Sequence, residues 1–205
     1  MIDGRPRWVV FDYGEVISRR TGEIPVLAAM LGVTDLDAFA AAYWSERDQY
    51  DRGCSDASYW RRVAERFGVS VPDELVARLT DTDETGWLHT VPESRALVDE
   101  LRRDGVGVAI LSNAPASFAR RLTAQDWVRP IEHVLVSGEL GFAKPDAAIW
   151  AELIARLGAH PGEIVFFDDR VTNVVGARQA GLVGEPWTGA AAGRARLVEL
   201  GVLSG

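Results

Sequence analysis

The sequence predicts an α/β protein with a Rossmann-like parallel sheet flanked by helices and a helical cap inserted after the first strand. Two observations predict the sheet: short apolar runs end abruptly at polar residues, and helical segments separate these runs. A third observation predicts the cap, because residues 21–89 have helical periodicity and contain no convincing strand. We therefore expect a core domain of residues 1–20 and 90–205 and a cap domain of residues 21–89.

Four runs are candidate strands, and they are continuously apolar rather than alternating. This pattern is typical of strands that helices cover on both faces of a parallel sheet. The runs are residues 8–11, 106–111, 133–136 and 164–167. A polar residue follows each run, so we expect a row of polar side chains along one edge of the sheet.

Helices are expected between these strands. Thr90 and Glu93 have the spacing of a capping box, and the helix they begin ends before Gly105. Two further core helices are expected over 145–157 and 174–180, each followed by a glycine. The cap segments with helical periodicity are 24–31, 36–44, 58–67 and 73–79.

Composition and charge limit the classes of molecule that the protein is expected to bind. Hydrophobic residues at 47% and charged residues at 25% are ordinary for a chain that buries a core. The net charge of −8 argues against nucleic acid and anionic lipid, and it favours a small molecule. Residues 1–7 have no leader pattern, no run approaches a membrane span, and the lone Cys54 cannot form an internal disulfide. We expect a cytoplasmic protein, monomeric or homodimeric.

Three carboxylates follow the predicted strands. Asp12 at a strand end can be a nucleophile or a metal ligand, and it can equally form a turn with its own backbone. Asp168 and Asp169 are adjacent, and such carboxylates repel each other unless a cation lies beside them, which favours Mg²⁺. The alternative is a solvated loop in which Asp169 caps the following helix.

Ser112, Asn113 and Lys144 are the remaining polar candidates. Ser112 and Asn113 end a strand and precede a helix, where they can bind an anion or act as an ordinary helix cap. Lys144 is the only lysine among 22 Lys and Arg residues, which indicates a position where a compact ammonium is needed. An exposed position reached by chance is the alternative.

Taken in order, these segments resemble the four motifs of the haloacid dehalogenase-like (HAD) hydrolase superfamily. The segments are FDYGEVI (11–17), LSN (111–113), GFAKPD (141–146) and the stretch 167–177, which begins FDD. The predicted insertion is similar to the small helical cap of this family. The resemblance covers the whole chain and implies a Mg²⁺-dependent phosphatase whose partner is a small phosphorylated metabolite.

The resemblance implies a role for each motif residue. Asp12 would attack phosphorus to give an aspartyl-phosphate, and Asp12, Asp168, Asp169 and the backbone carbonyl of Gly14 would bind Mg²⁺.

For the phosphate itself, the resemblance implies that Ser112 and Asn113 donate hydrogen bonds to phosphoryl oxygens. Lys144 would pair with the nucleophile and the phosphate. Asn173 would support the residues of the site without contacting the substrate.

The chain departs from the family pattern at Gly14. Phosphatases of the family usually carry a second Asp there, which protonates the leaving alcohol and activates water. Its loss should slow turnover, since general acid catalysis typically contributes about 10² to 10⁴-fold. Glu15 is next to this position, but we interpret it as an exposed turn residue. A 2-haloacid dehalogenase, and a binding protein without catalysis on the same scaffold, are the alternative functions.

Specificity is expected to lie in the cap. We predict that substitution of Trp44 or Arg47 changes substrate selectivity more than the aspartyl-phosphate step. A wider set of aromatic and basic residues is available to face the crevice: Arg19, Arg20, Tyr43, Tyr50 and Arg52. Most of these aromatics are expected in the cap core, and most of the arginines in solvent.

Overall fold

A computed structural model describes residues 6–205, so most of the segment assessed for a leader lies outside the described residues. The chain forms five strands: β1 (Trp8–Phe11), β2 (Gly107–Ser112), β3 (His133–Val136), β4 (Ile164–Asp168) and β5 (Val183–Pro186). They pair in parallel in the order β3-β2-β1-β4-β5, with β1 at the centre. The predicted parallel α/β sheet is confirmed. We did not predict β5, because its sequence Val-Gly-Glu-Pro has little apolar character.

Helices account for most of the remaining chain. The cap segment between β1 and β2 contains α1 (Ile24–Met30), α2 (Leu36–Ser45), α3 (Arg47–Asp51), α4 (Asp56–Glu65) and α5 (Asp73–Trp87). The core contains α6 (Pro92–Arg103), α7 (Ala116–Thr123), α8 (Ser137–Leu140), α9 (Ala147–Leu157), α10 (Val171–Gln179) and α11 (Ala190–Glu199), with a 3-10 turn at Pro161–Glu163. Among residues 6–205, no helix has both the length and the apolar character that a membrane span requires.

The start of α6 corrects one sequence prediction. The helix begins at Pro92 after Val91, and no side chain there makes a capping hydrogen bond within the described residues. Thr90 instead pairs with Ser18 in an isolated antiparallel bridge. The capping box predicted for Thr90 and Glu93 was therefore wrong, because the helix begins at Pro92 and its N-cap is Val91, which leaves Thr90 one residue too early.

Helix α5 is the largest difference in the cap, since it continues to Trp87 instead of ending near residue 79. The extension carries polar residues that are buried, among them Thr80 and Asp83. Aromatic side chains satisfy them: Trp60 Nε1 donates to Thr80 at 3.0 Å, and the Tyr43 hydroxyl donates to Asp83 at 2.6 Å. Buried polar groups are stable when they are hydrogen-bonded, so the helix persists through a sequence that is typical of a helix end.

Alternate residues of β1 pack against opposite layers of helices. Val9 and Phe11 face the layer containing α6, α7 and α11, whereas Val10 faces α9 and α10. The cap has a separate hydrophobic cluster built around Tyr43, Tyr59 and Trp60. The sheet core and the cap core are thus distinct, and they meet at the carboxyl edge of the sheet.

Two glycines allow close packing at this junction. A Cβ added at Gly53, in the cap, would lie 2.9 Å from the carbonyl oxygen of Gly138 in α8. A Cβ added at Gly138 would overlap the backbone nitrogen of Ala116 at the start of α7. Since backbone atoms cannot yield as a flexible side chain can, the segment after β2 would have to move.

We expect Gly138→Ala to lower the free energy of unfolding by about 1 to 3 kcal/mol, the typical cost of overpacking a closed contact. Chemical denaturation followed by circular dichroism measures this change. Gly22→Ala is the matched control, because no atom lies within 4 Å of the added Cβ and its backbone φ is not in the left-handed region. Equal stability of the two variants would contradict the prediction.

Candidate active site

The polar residues at the carboxyl edge of the sheet converge because of the strand register. Phe11 in β1 lies opposite Phe167 in β4, so Asp12 and Asp168, the next residues in each chain segment, end side by side. The backbone N–H of Asp12 donates to the Phe167 carbonyl at 2.9 Å, which extends this pairing to the site. Both carboxylates are buried, Asp168 completely.

Lys144 joins these two carboxylates. Its Nζ lies 2.8 Å from Asp12 Oδ1 and 2.7 Å from Asp168 Oδ2, and it donates to the Leu111 carbonyl at 2.9 Å. Three acceptors match the three protons of an ammonium, and the side chain is fully buried. Burial opposes the charge on Lys144, but the attraction of Asp12 and Asp168 raises its pKa above the usual value. The two carboxylates therefore favour the charged form of Lys144.

Asn113 positions Lys144 through the backbone. Its side-chain amide donates to the Lys144 carbonyl at 2.9 Å, and its side-chain oxygen accepts from the Lys144 N–H at 2.9 Å. The side chain expected to donate to a phosphoryl group is thus already engaged with residue 144. Neither Ser112 nor Asn113 caps α7, whose N-cap is Pro115, so the ordinary-cap alternative does not hold.

Hydrogen bonds from the start of α10 hold the Asp168 carboxylate. Asn173 donates its side-chain amide to both carboxylate oxygens of Asp168 at 3.0 Å, and the Arg170 backbone N–H donates to Oδ1 at 2.8 Å. Asp169, by contrast, is exposed and does not cap α10, whose N-cap residue is Arg170. Helix α10 also begins three residues earlier than predicted, which brings Asn173 into its first turn.

Asp12, Asp168 and Asp169 form one cluster, with an oxygen of each carboxylate within 4.8 Å of the others. Burial raises the pKa of Asp12 to about 7, and the charges of Asp168 and Asp169 add to this against the opposing effect of Lys144. Burial also raises the pKa of Asp169, together with the charge of Asp168 and then of Glu15. One lysine does not neutralise the cluster, so its oxygen donors fit a divalent cation that prefers oxygen ligands.

A cavity of about 600 Å³ opens between this cluster and the cap. Its floor includes Asp12 and Lys144, and its cap side includes Trp44, Trp87 and Arg20. The Arg20 guanidinium lies 5.1 Å from the centroid of the Trp44 ring. The cavity therefore combines a charged floor with an aromatic and cationic roof.

The candidate residues from the sequence fall into two groups, those at the cavity and those in the cap core. The proposed catalytic, metal-binding and supporting residues line this cavity, except that Asp168 is completely buried beside Asp12 and Lys144. Arg20, Trp44, Arg47 and Arg52 line its cap side. Tyr43 and Tyr50 are instead buried in the cap core. Sequence reasoning missed Trp87, Asp51 and Arg170, which line the cavity. Arg170 directly follows the Asp168-Asp169 pair, so its position could have been inferred, whereas Trp87 requires the extended α5.

Arg47 is engaged inside the cap. Its guanidinium donates to Asp51 and to Asp83, both at 3.0 Å, and to the Tyr43 hydroxyl at 2.8 Å. Burial raises the pKa of Asp51 to about 6, although Arg47 lowers it. Arg47 thus offsets the negative charges of two carboxylates in the cap, and it also lines the cavity.

We expect Arg47→Ala to reduce stability by about 3 to 5 kcal/mol, because it leaves Asp83, whose side chain is 2% exposed, as an unpaired buried charge. Thermal and urea unfolding measure the loss. The double substitution Arg47→Ala with Asp83→Asn should recover part of it by removing that charge. No recovery in the double variant would show that packing, and not charge, explains the loss.

Comparisons with known proteins identify similar sequences and similar folds. A family profile described as haloacid dehalogenase-like hydrolase matches residues 73–181. The sesquiterpene phosphatase astK of Aspergillus oryzae is 24% identical over 178 residues, which are 85% of this chain and 86% of that protein.

Two solved structures share the fold. A HAD family enzyme from Bacteroides thetaiotaomicron, in complex with magnesium and inorganic phosphate, has a TM-score of 0.68 at 18% identity and covers 89% of this chain and 97% of its own. The L-2-haloacid dehalogenase from Xanthobacter autotrophicus, with chloropropionic acid covalently bound, has a TM-score of 0.67 at 18% identity. It covers 86% of this chain and 75% of its own.

Proposed function

The chain belongs to the haloacid dehalogenase-like hydrolase family, and we propose that it is a Mg²⁺-dependent phosphatase of small phosphorylated metabolites that acts through an aspartyl-phosphate. The observation that carries this proposal is the cluster of three carboxylates with one buried lysine at the floor of the cavity. The cytoplasmic location expected from the sequence, and a monomeric or homodimeric state, belong to the same proposal.

The carboxylate cluster favours a phosphatase over a dehalogenase. Asp12, Asp168 and Asp169, with the Gly14 carbonyl, would hold Mg²⁺, which when bound neutralises charge on the phosphoryl oxygens. Without a cation, the cluster would repel the carboxylate of a haloacid. The name of the relative astK and the magnesium and phosphate in the bacterial neighbour are consistent with this choice.

The residues of the chain have separate tasks in the proposed reaction. One oxygen of Asp12 accepts from the Tyr13 N–H at 2.7 Å and from Lys144, which fixes the orientation of the carboxylate. Asp12 attacks phosphorus, and the leaving oxygen departs on the opposite side. The Ser112 hydroxyl donates to a phosphoryl oxygen, whereas Lys144, whose three protons have protein acceptors, stabilises the phosphoryl oxygens through its charge alone. Asn113 keeps Lys144 in place.

The test is phosphate release by the purified protein from a panel of phosphomonoesters that includes para-nitrophenyl phosphate. We expect release with added Mg²⁺ and none after treatment with EDTA. No release from any compound would overturn the phosphatase proposal. Chloride release from 2-chloropropionate that EDTA leaves unchanged would support the dehalogenase, which the fold of the Xanthobacter enzyme keeps as the second candidate.

Trp44 is predicted to affect selectivity and not the chemical step, because it lines the cap side of the cavity and packs against both the cap and the core clusters. We expect Trp44→Ala to change the ratio of kcat/KM values among the panel while kcat for para-nitrophenyl phosphate changes little. Equal losses for all substrates would contradict the prediction. For Arg47, the selectivity effect stays a prediction, and it is measurable only in a variant that retains its stability.

A further inference from the structure

An aromatic ring borders the space beside Gly14. Gly14 lies two residues after Asp12, and a Cβ added to it would lie 3.6 Å from Cζ3 of Trp87. The first carbon of a side chain at position 14 would therefore make an ordinary contact with the indole. Carbon atoms of an indole neither donate nor accept a proton, so the surface beside the nucleophile is apolar on this side.

Trp87 is fixed in this position at both ends. Its Nε1 donates to the Tyr43 hydroxyl at 3.2 Å, and its carbonyl accepts from the Tyr13 hydroxyl at 3.0 Å. Trp44 packs against the ring at right angles, with 6.2 Å between ring centroids. The indole N–H, the one proton donor of this side chain, is thus directed into the cap and away from Gly14.

The other carboxyl groups that line the cavity have different partners. Asp48 accepts from Arg52, and Asp51 accepts from Arg47 at 3.0 Å. Asp169 belongs to the carboxylate cluster. Glu15 is exposed, in left-handed backbone with φ of 57°, and its charge acts on Asp169.

On the basis of the proposed phosphatase function, we propose that the enzyme selects phosphate esters and anhydrides whose leaving group departs as a weakly basic oxyanion, namely aryl, enol and acyl phosphates. The bond between Asp12 and phosphorus forms as the bond from phosphorus to the leaving oxygen breaks. The electron pair stays on that oxygen, which takes its proton from solvent after departure. Water then displaces the Asp12 carboxylate from phosphorus and releases a proton to solvent.

This selection follows from the apolar surface beside Gly14, which offers no proton to a departing oxygen. A simple alcohol must be protonated as it leaves, whereas a phenol, an enol or a carboxylic acid leaves as a stable anion. A positioned acid typically contributes about 10² to 10⁴-fold to such a step. The indole surface of Trp87 also suits a flat leaving group, since aromatic rings pack well against each other.

The experiment compares kcat/KM for para-nitrophenyl phosphate, phenyl phosphate and benzyl phosphate, which have similar size and increasingly basic leaving oxygens. We use kcat/KM because it reports the step in which the leaving group departs. We expect a fall of about 10² to 10⁴-fold across this series, the amount that a general acid would have supplied. A flat series would overturn the inference and leave the phosphatase function standing, whereas no release from any ester would overturn the function itself.

Two pairs of variants test the source of the proton. Gly14→Asp should raise kcat/KM for benzyl phosphate relative to para-nitrophenyl phosphate, and Gly14→Asn, of nearly equal size but without the acid, should not. Glu15→Gln and Asp51→Asn should leave the steepness of the series unchanged. A steeper series in either of these last two variants would show that the protein supplies the proton, and would overturn the inference. If the substitutions at Gly14 prevent folding, the wild-type series still decides.

Discussion

Asp12→Asn is expected to abolish phosphate release, with a loss in kcat of at least about 10⁴-fold, because an amide oxygen is a poor nucleophile toward phosphorus. The fold should be retained. Asn keeps a side-chain oxygen that can accept from the Tyr13 N–H and from Lys144, as Asp12 Oδ1 does at 2.7 Å and 2.8 Å. Phosphate release in the presence of Mg²⁺ measures the effect.

The control for Asp12→Asn is its stability. Burial and the neighbouring carboxylates raise the pKa of Asp12, so its ionised form is unfavourable in the protein without metal. Removing this charge should leave the melting temperature without Mg²⁺ equal to that of wild type or higher. Persistent phosphate release from a folded Asp12→Asn protein would show that the nucleophile is a different residue.

The site was more predictable from the sequence than the cap was. The polar residues that follow the apolar runs, such as Asp12 and Asp168, converge because parallel strands place their carboxyl ends at one edge. This convergence was expected because continuous apolar runs indicate the buried strands of a parallel sheet, whereas strand order and register came only from the structure. The single lysine also had a physical reason that composition could suggest, since Lys144 is surrounded by three acceptors in a closed space.

Residues in the cap could not be placed in the same way. The later part of α5 is polar, and only its partners in other helices show why it is buried and helical. Arg47 was predicted to affect selectivity because the cap is rich in arginine and aromatic residues. Its donors are instead occupied by Asp51, Asp83 and Tyr43. The two pairings with Asp83 join residues 40 and 36 positions apart, and hydrophobic periodicity contains no information about them.

Lys144→Met is expected to eliminate activity and to lower the free energy of unfolding by about 3 to 5 kcal/mol, the usual effect of breaking a buried ion pair from one side. Asp168 has a fully buried side chain, so its charge would be left with only the hydrogen bonds from Asn173 and Arg170. Denaturation without and with Mg²⁺ separates the role of Lys144 in stability from its role in activity. Added cation should restore part of the stability, but it cannot take the place of the Lys144 ammonium.

Lys144→Arg is the sharper test of why a lysine is required. The charge is retained, but a planar guanidinium has five N–H donors and a larger volume than the ammonium that fits between Asp12, Asp168 and the Leu111 carbonyl. We therefore expect Lys144→Arg to be nearly as inactive as Lys144→Met, and Asp168→Asn to restore stability to Lys144→Met without restoring phosphate release. Substantial activity in Lys144→Arg would show that the site needs only a positive charge at this position. The close fit around the ammonium would then not be required for activity.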